Sequence, residues 1–73
     1  MNYEKFKKEM EEDRKIRKES AKWNFIKNQP LRIKKGLEAL VESGDLWVAS
    51  RIAGITLDEM NDIRIRADIP MIG

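Results

Sequence analysis

Gly44 and Gly54 stand ten residues apart, and each is followed within two residues by a side chain suited to start a helix, Asp45 and Thr56. Glycine can take the left-handed conformation that stops a helix, and an Asp or Thr oxygen can accept from the free N–H groups of a first turn. Thr56 also has Glu59 three positions on, the spacing of a capping box. These signals bracket LWVASRIA as a short helix and fix a second helix after a three-residue turn. Leu46 to Met60, LWVASRIAGITLDEM, therefore has the spacing of a helix-turn-helix. In such a unit Ser50 takes the crossing position and Gly54 the turn, while Ala49, Ala53, Ile55, Met60 and Ile63 take buried positions. The first helix, with Arg51 as its single charge, is expected to be largely buried. The second is expected to bury Leu57, Met60, Ile63 and Ala67 and to expose Asp58, Glu59, Asn61, Asp62 and Arg66. Pro70 ends it.

Upstream, Pro30 suits a first helical turn and disfavours helix at Gln29, so one helix is expected to end and another to begin there. In LRIKKGLEALVESG, Ile33, Leu37, Leu40 and Val41 share one face, and Gly36 marks a close helix crossing. From Tyr3 to about Lys27 there is no Gly or Pro, and Glu4–Lys8, Glu11–Lys15 and Asp13–Arg17 are spaced as i,i+4 pairs, which predicts one long charged helix. The expected fold is all-α: residues 1–29 form a charged N-terminal helix, and residues 30–73 form a three-helix helix-turn-helix domain.

The types of residue present narrow the chemistry. A chain of 73 residues forms one small core at most. It has no cysteine and no histidine, which removes disulfides, thiolate metal sites and the commonest general base. No nucleophile–base pair, phosphate loop or metal cluster can be assembled, so no enzyme activity, cofactor or small-molecule substrate is expected. No apolar run is long enough for a bilayer and no secretory signal is present, so a cytoplasmic protein without a membrane partner is expected. Charged residues make up 38% of the chain, and that content, with many isoleucines, leans toward a thermophilic source.

Charge locates the candidate surfaces. Residues 1–29 carry nine Lys or Arg against six Asp or Glu, while residues 30–73 carry six against seven. Lys22, Lys27, Arg32, Lys34 and Lys35 surround Trp23 and Phe25 at the junction of the two halves, and Arg14, Lys18 and Lys22 extend this strip along the first helix. Basic side chains with an interleaved aromatic can hold phosphates while a ring stacks on a base, although Trp23 and Phe25 also suit a small core. On the last helix Thr56 and Asn61 could reach a groove, with Asn61 able to read adenine, but the neighbouring acids oppose a phosphate-lined surface. Two apolar ends, Tyr3, Phe6 and Met10 at one and Ile69, Met71 and Ile72 at the other, are candidate contacts for a protein partner or a second copy.

Residues Leu37 to Pro70 resemble a family of small archaeal and bacterial antitoxin proteins with a C-terminal helix-turn-helix. The features that carry the resemblance are the apolar helix ending at Gly44, the small-residue helix running into Ala53 and Gly54, the Thr56-capped helix, and the closing Ala67-Asp68-Ile69-Pro70. The first half departs from the family, with a charged helix where a short strand for dimerisation would stand. The resemblance implies an intracellular regulator that binds operator DNA, a cognate toxin, or both. The residues alone leave a second role open: an accessory subunit of a ribonucleoprotein such as the ribosome, with the basic helix lying along RNA and the apolar ends gripping protein neighbours.

Overall fold

The computed structural model describes residues 2–72, and these form five helices with no strand among the described residues. They are α1 (Tyr3–Ser20), α2 (Trp23–Lys27), α3 (Leu31–Ser43), α4 (Leu46–Ala53) and α5 (Leu57–Arg66). The order helix, three-residue turn, helix is present at α4–α5, as the glycine and cap signals predict. Gly44 and Gly54 are left-handed, with φ of 70° and 72°. The Asp45 carboxylate accepts from Val48 N, and Thr56 and Glu59 close their capping box. At Gly54 the chain ends α4 with a paired cap: Ile55 N donates to Ser50 O and Gly54 N to Arg51 O.

The core is built from Ile26, Leu37, Leu40, Val41, Met60 and Ile69, with Ala21, Ala49, Ala53 and Ala67 between the helices. It draws on both sides of Pro30. The tightest approach is α3 on α4, where a Cβ added to Gly36 would lie 2.8 Å from both Ala49 O and the Ala53 Cβ. Glycine is needed at Gly36 because backbone, not a flexible side-chain end, fills the space beside it.

The long first helix of the sequence reading is two helices, broken at Ala21 and Lys22. No glycine or proline marks this break, and its cause lies in the opposite end of the chain. Helix α5 ends with Asp68 left-handed at φ 53°, Asp68 N donating to Ile65 O and Ile69 N to Arg64 O. Lys22 N leaves the helical pattern and donates to Ala67 O at 2.8 Å, beside this cap. Lys18 O, which Lys22 N would otherwise have bonded, accepts from the Trp23 indole Nε1 at 2.9 Å. Ser20 Oγ donates to Asp68 O, and Lys22 Nζ pairs with the Asp68 carboxylate at 3.4 Å. The start of α2 is thereby pinned to the end of α5.

Ile69 is corrected by the same arrangement. It was expected as an exposed partner contact, and it is 1% exposed, drawn into the core as the apolar residue that follows a left-handed cap. Helix α4 is also less buried than expected: Ala49, Ser50 and Ala53 face the core, but Trp47 is 58% exposed and Ile52 lies outside with it. Eight residues supply one buried face of small side chains, which leaves the larger apolar ones on the other face. Leu57, in the first turn of α5, is likewise exposed, whereas Met60 and Ala67 are fully buried.

Candidate nucleic-acid interface

Helix α3 ends at Gly44 with a single backbone bond, Gly44 N to Leu40 O, so the carbonyls of Val41 and Glu42 remain open. Helix α1 fills them. Arg17 Nε donates to Val41 O at 2.8 Å, and Arg17 Nη2 and Arg14 Nε both reach Glu42 O. Arg17 is 6% exposed, with its guanidinium against Gly44. Sequence spacing assigned Arg17 to Asp13; it serves the end of α3 instead. A cation on the open carbonyls of a helix C-terminus is favoured by hydrogen bonding and by the helix dipole.

The cations of the expected phosphate strip along α1 and at the start of α2 also have partners within the chain. Arg14 and Lys18 pair with the Glu42 carboxylate at 3.8 and 3.2 Å, and Lys22 pairs with Asp68. Trp23 keeps part of its ring in solvent while its N–H is committed to Lys18 O. Phe25 is half-buried and packed on the core, with Ile26 the buried residue of α2.

The other junction cations stand apart. Lys27, Arg32 and Lys35 are exposed and Lys34 is half-buried, and none of the four has an ion pair among the described residues. Arg32 lies across the α4–α5 turn: its guanidinium atoms come within 2.8 to 3.1 Å of where a Gly54 Cβ would be. The start of α3 and the turn thus share one surface.

On α5 the expected base-reading groups are occupied. Thr56 Oγ1 accepts from Glu59 N and donates to the Glu59 carboxylate, both within the capping box. Asn61 is half-buried rather than exposed, and its Oδ1 accepts from Arg64 Nε at 2.8 Å. Asp58 and Asp62 remain exposed on this helix. One feature was missed from sequence: Arg51 stacks on the exposed Trp47, 5.4 Å from the ring centroid. Their i,i+4 spacing was the available signal.

The expected partner contacts other than Ile69 are exposed, and they meet. Tyr3, Phe6 and Met10 lie along α1, and Met10 also lines a groove with Asp13, Arg17, Ser43, Gly44 and Ile72. Met71 is exposed beside Ile72. The two apolar ends, far apart in sequence, adjoin at this groove.

Among the described residues, no helix is long and apolar enough to cross a membrane, and no cluster of His, Cys, Asp or Glu could hold a metal ion. Compared with protein-family models, curated proteins and solved structures, the chain has no match.

Proposed function

We propose that the protein is a non-enzymatic helix-turn-helix regulator, antitoxin-like in its C-terminal half, that associates with duplex DNA mainly through phosphate contacts. The observation that carries this reading is Arg32 lying over the Gly54 turn. It joins the unpaired cations Lys27, Arg32, Lys34 and Lys35 to the edge of the α4–α5 unit, the part that approaches a groove in proteins of this architecture. Phosphate contacts position such a unit, and base contacts specify sequence. With Thr56 and Asn61 engaged within α5 and acids exposed beside them, base reading contributes little, and binding is weakly selective. The ribonucleoprotein reading rests on the long basic helix and the same junction; the ties of Arg14, Lys18 and Lys22 to Glu42 and Asp68 weaken only the part of it that lies on the helix.

Salt dependence tests the proposal. Four phosphate contacts give a slope of about −3 to −4 in log affinity against log salt for B-form DNA. Fluorescence anisotropy of the full chain with a mixed-sequence duplex should return that slope and similar affinities across sequences. Absence of salt-dependent binding to any duplex, or clear preference for single-stranded RNA, would contradict it.

A further inference from the structure

We propose, on the ground of the duplex reading above, that Arg32 is the anchoring phosphate contact of the α2–α3 junction and that Gly54 is its positioning residue. Gly54 leaves room for the guanidinium to lie flat over the α4–α5 turn, with its N–H edge free for a phosphate.

Both left-handed glycine caps carry an arginine. A Cβ at Gly44 would lie 2.8, 3.0 and 3.4 Å from Nη1, Cζ and Nη2 of Arg17, and one at Gly54 would lie 2.8, 2.9 and 3.1 Å from Nη2, Cζ and Nη1 of Arg32. At Gly54 the three distances are nearly equal, which places the guanidinium face-on to the glycine. An edge-on approach would bring at least one nitrogen distinctly nearer than Cζ. Each arginine also lies at a helix C-terminus, where the dipole favours a cation.

What differs is the use of the N–H groups. Arg17 is buried, and its Nε and Nη2 donate to the Val41 and Glu42 carbonyls. Arg32 is exposed, and the arginine side-chain hydrogen bonds among the described residues come from Arg14, Arg17 and Arg64. Arg32 has no ion pair among them either. The same arrangement therefore closes α3 at Gly44 and leaves a donor edge open at Gly54. That edge matches two oxygens of a phosphodiester at once, whereas an ammonium meets them as a point charge. Lys27, Lys34 and Lys35 supply such point charges on flexible stems; Arg32 adds a planar fork laid against the turn.

Substitutions at Arg32 and Gly54 test this by fluorescence anisotropy of the full chain with a mixed-sequence duplex. Arg32→Lys keeps the charge, so the salt slope should stay while affinity falls roughly fivefold or more. Gly54→Ala sets a Cβ against the guanidinium face, whose atoms must move, and should lower affinity by a similar factor. In the Arg32→Lys background Gly54→Ala should lower affinity no further. Backbone strain at φ 72° acts in both backgrounds alike, so it cannot produce that difference. Circular dichroism confirms that each variant is folded, and Arg32→Lys, at an exposed position, decides the anchoring role even if Gly54→Ala fails to fold. No duplex binding by the native chain would overturn the DNA reading and this inference together. Salt-dependent binding that keeps native affinity in Arg32→Lys or in Gly54→Ala, or that falls equally with Gly54→Ala in both backgrounds, would overturn this inference alone.

Discussion

Gly36→Val is expected to destabilise the protein by about 3 kcal/mol, a large part of the stability of a chain this size. A substituted Cβ would meet Ala49 O and the Ala53 Cβ at 2.8 Å, and neither can rotate away. Relief requires α3 and α4 to separate, which opens the contact that holds Leu37, Leu40 and Val41 out of water. Valine favours a helix over glycine by only a few tenths of a kcal/mol, so propensity cannot offset the clash. Urea denaturation should show a lower midpoint. A midpoint equal to that of the native chain would mean that the crossing is looser than described.

Arg17→Met should cost about 2 kcal/mol, the range of a hydrogen bond from a charged donor to a buried acceptor. Methionine retains much of the packing volume but leaves Val41 O without a donor. Arg14→Met is the comparison: that guanidinium is more exposed and shares Glu42 O with Arg17, so its loss should be felt much less. Thermal melts of the two variants should differ clearly. Equal melting temperatures would remove the claim that Arg17 closes α3. A related consequence is that Arg17→Met should loosen α1 from the body before α3–α5 unfold, visible as earlier hydrogen exchange in residues 13–20.

The helix ends were legible because capping is local. Asp45, Thr56, Glu59, Gly44 and Gly54 act within four residues of themselves, and all five act as their positions predict. The apolar face of α3 and the close crossing at Gly36 were legible for the same reason. What could not be read is long-range satisfaction of backbone groups. Arg17 bonds a carbonyl 24 positions away, and Lys22 breaks α1 to bond Ala67 O, 45 positions away. Neither leaves a mark in local periodicity. The candidate interface divides along the same line: sequence placed seven cations and two aromatics near one another, but only tertiary pairing separates Arg14, Lys18 and Lys22, which meet Glu42 and Asp68, from Lys27, Arg32, Lys34 and Lys35, which have no ion pair among the described residues. Trp47 differs from expectation because the helix, expected to be largely buried, turns a face of Ala49, Ser50 and Ala53, with Leu46 partly buried beside it, toward the core and leaves Trp47 on the other side.

That division of the cations is most directly measured with two variants that remove equal charge. Lys34→Gln with Lys35→Gln should lower duplex affinity by roughly tenfold or more at moderate salt and reduce the salt slope by about 2, with little change in melting temperature. Lys18→Gln with Lys22→Gln should leave the slope near that of the native chain and lower stability slightly, since those side chains bind Glu42 and Asp68. The reverse pattern, with the slope lost in the Lys18 and Lys22 variant and kept in the Lys34 and Lys35 variant, would contradict the assignment of the interface to the α2–α3 junction.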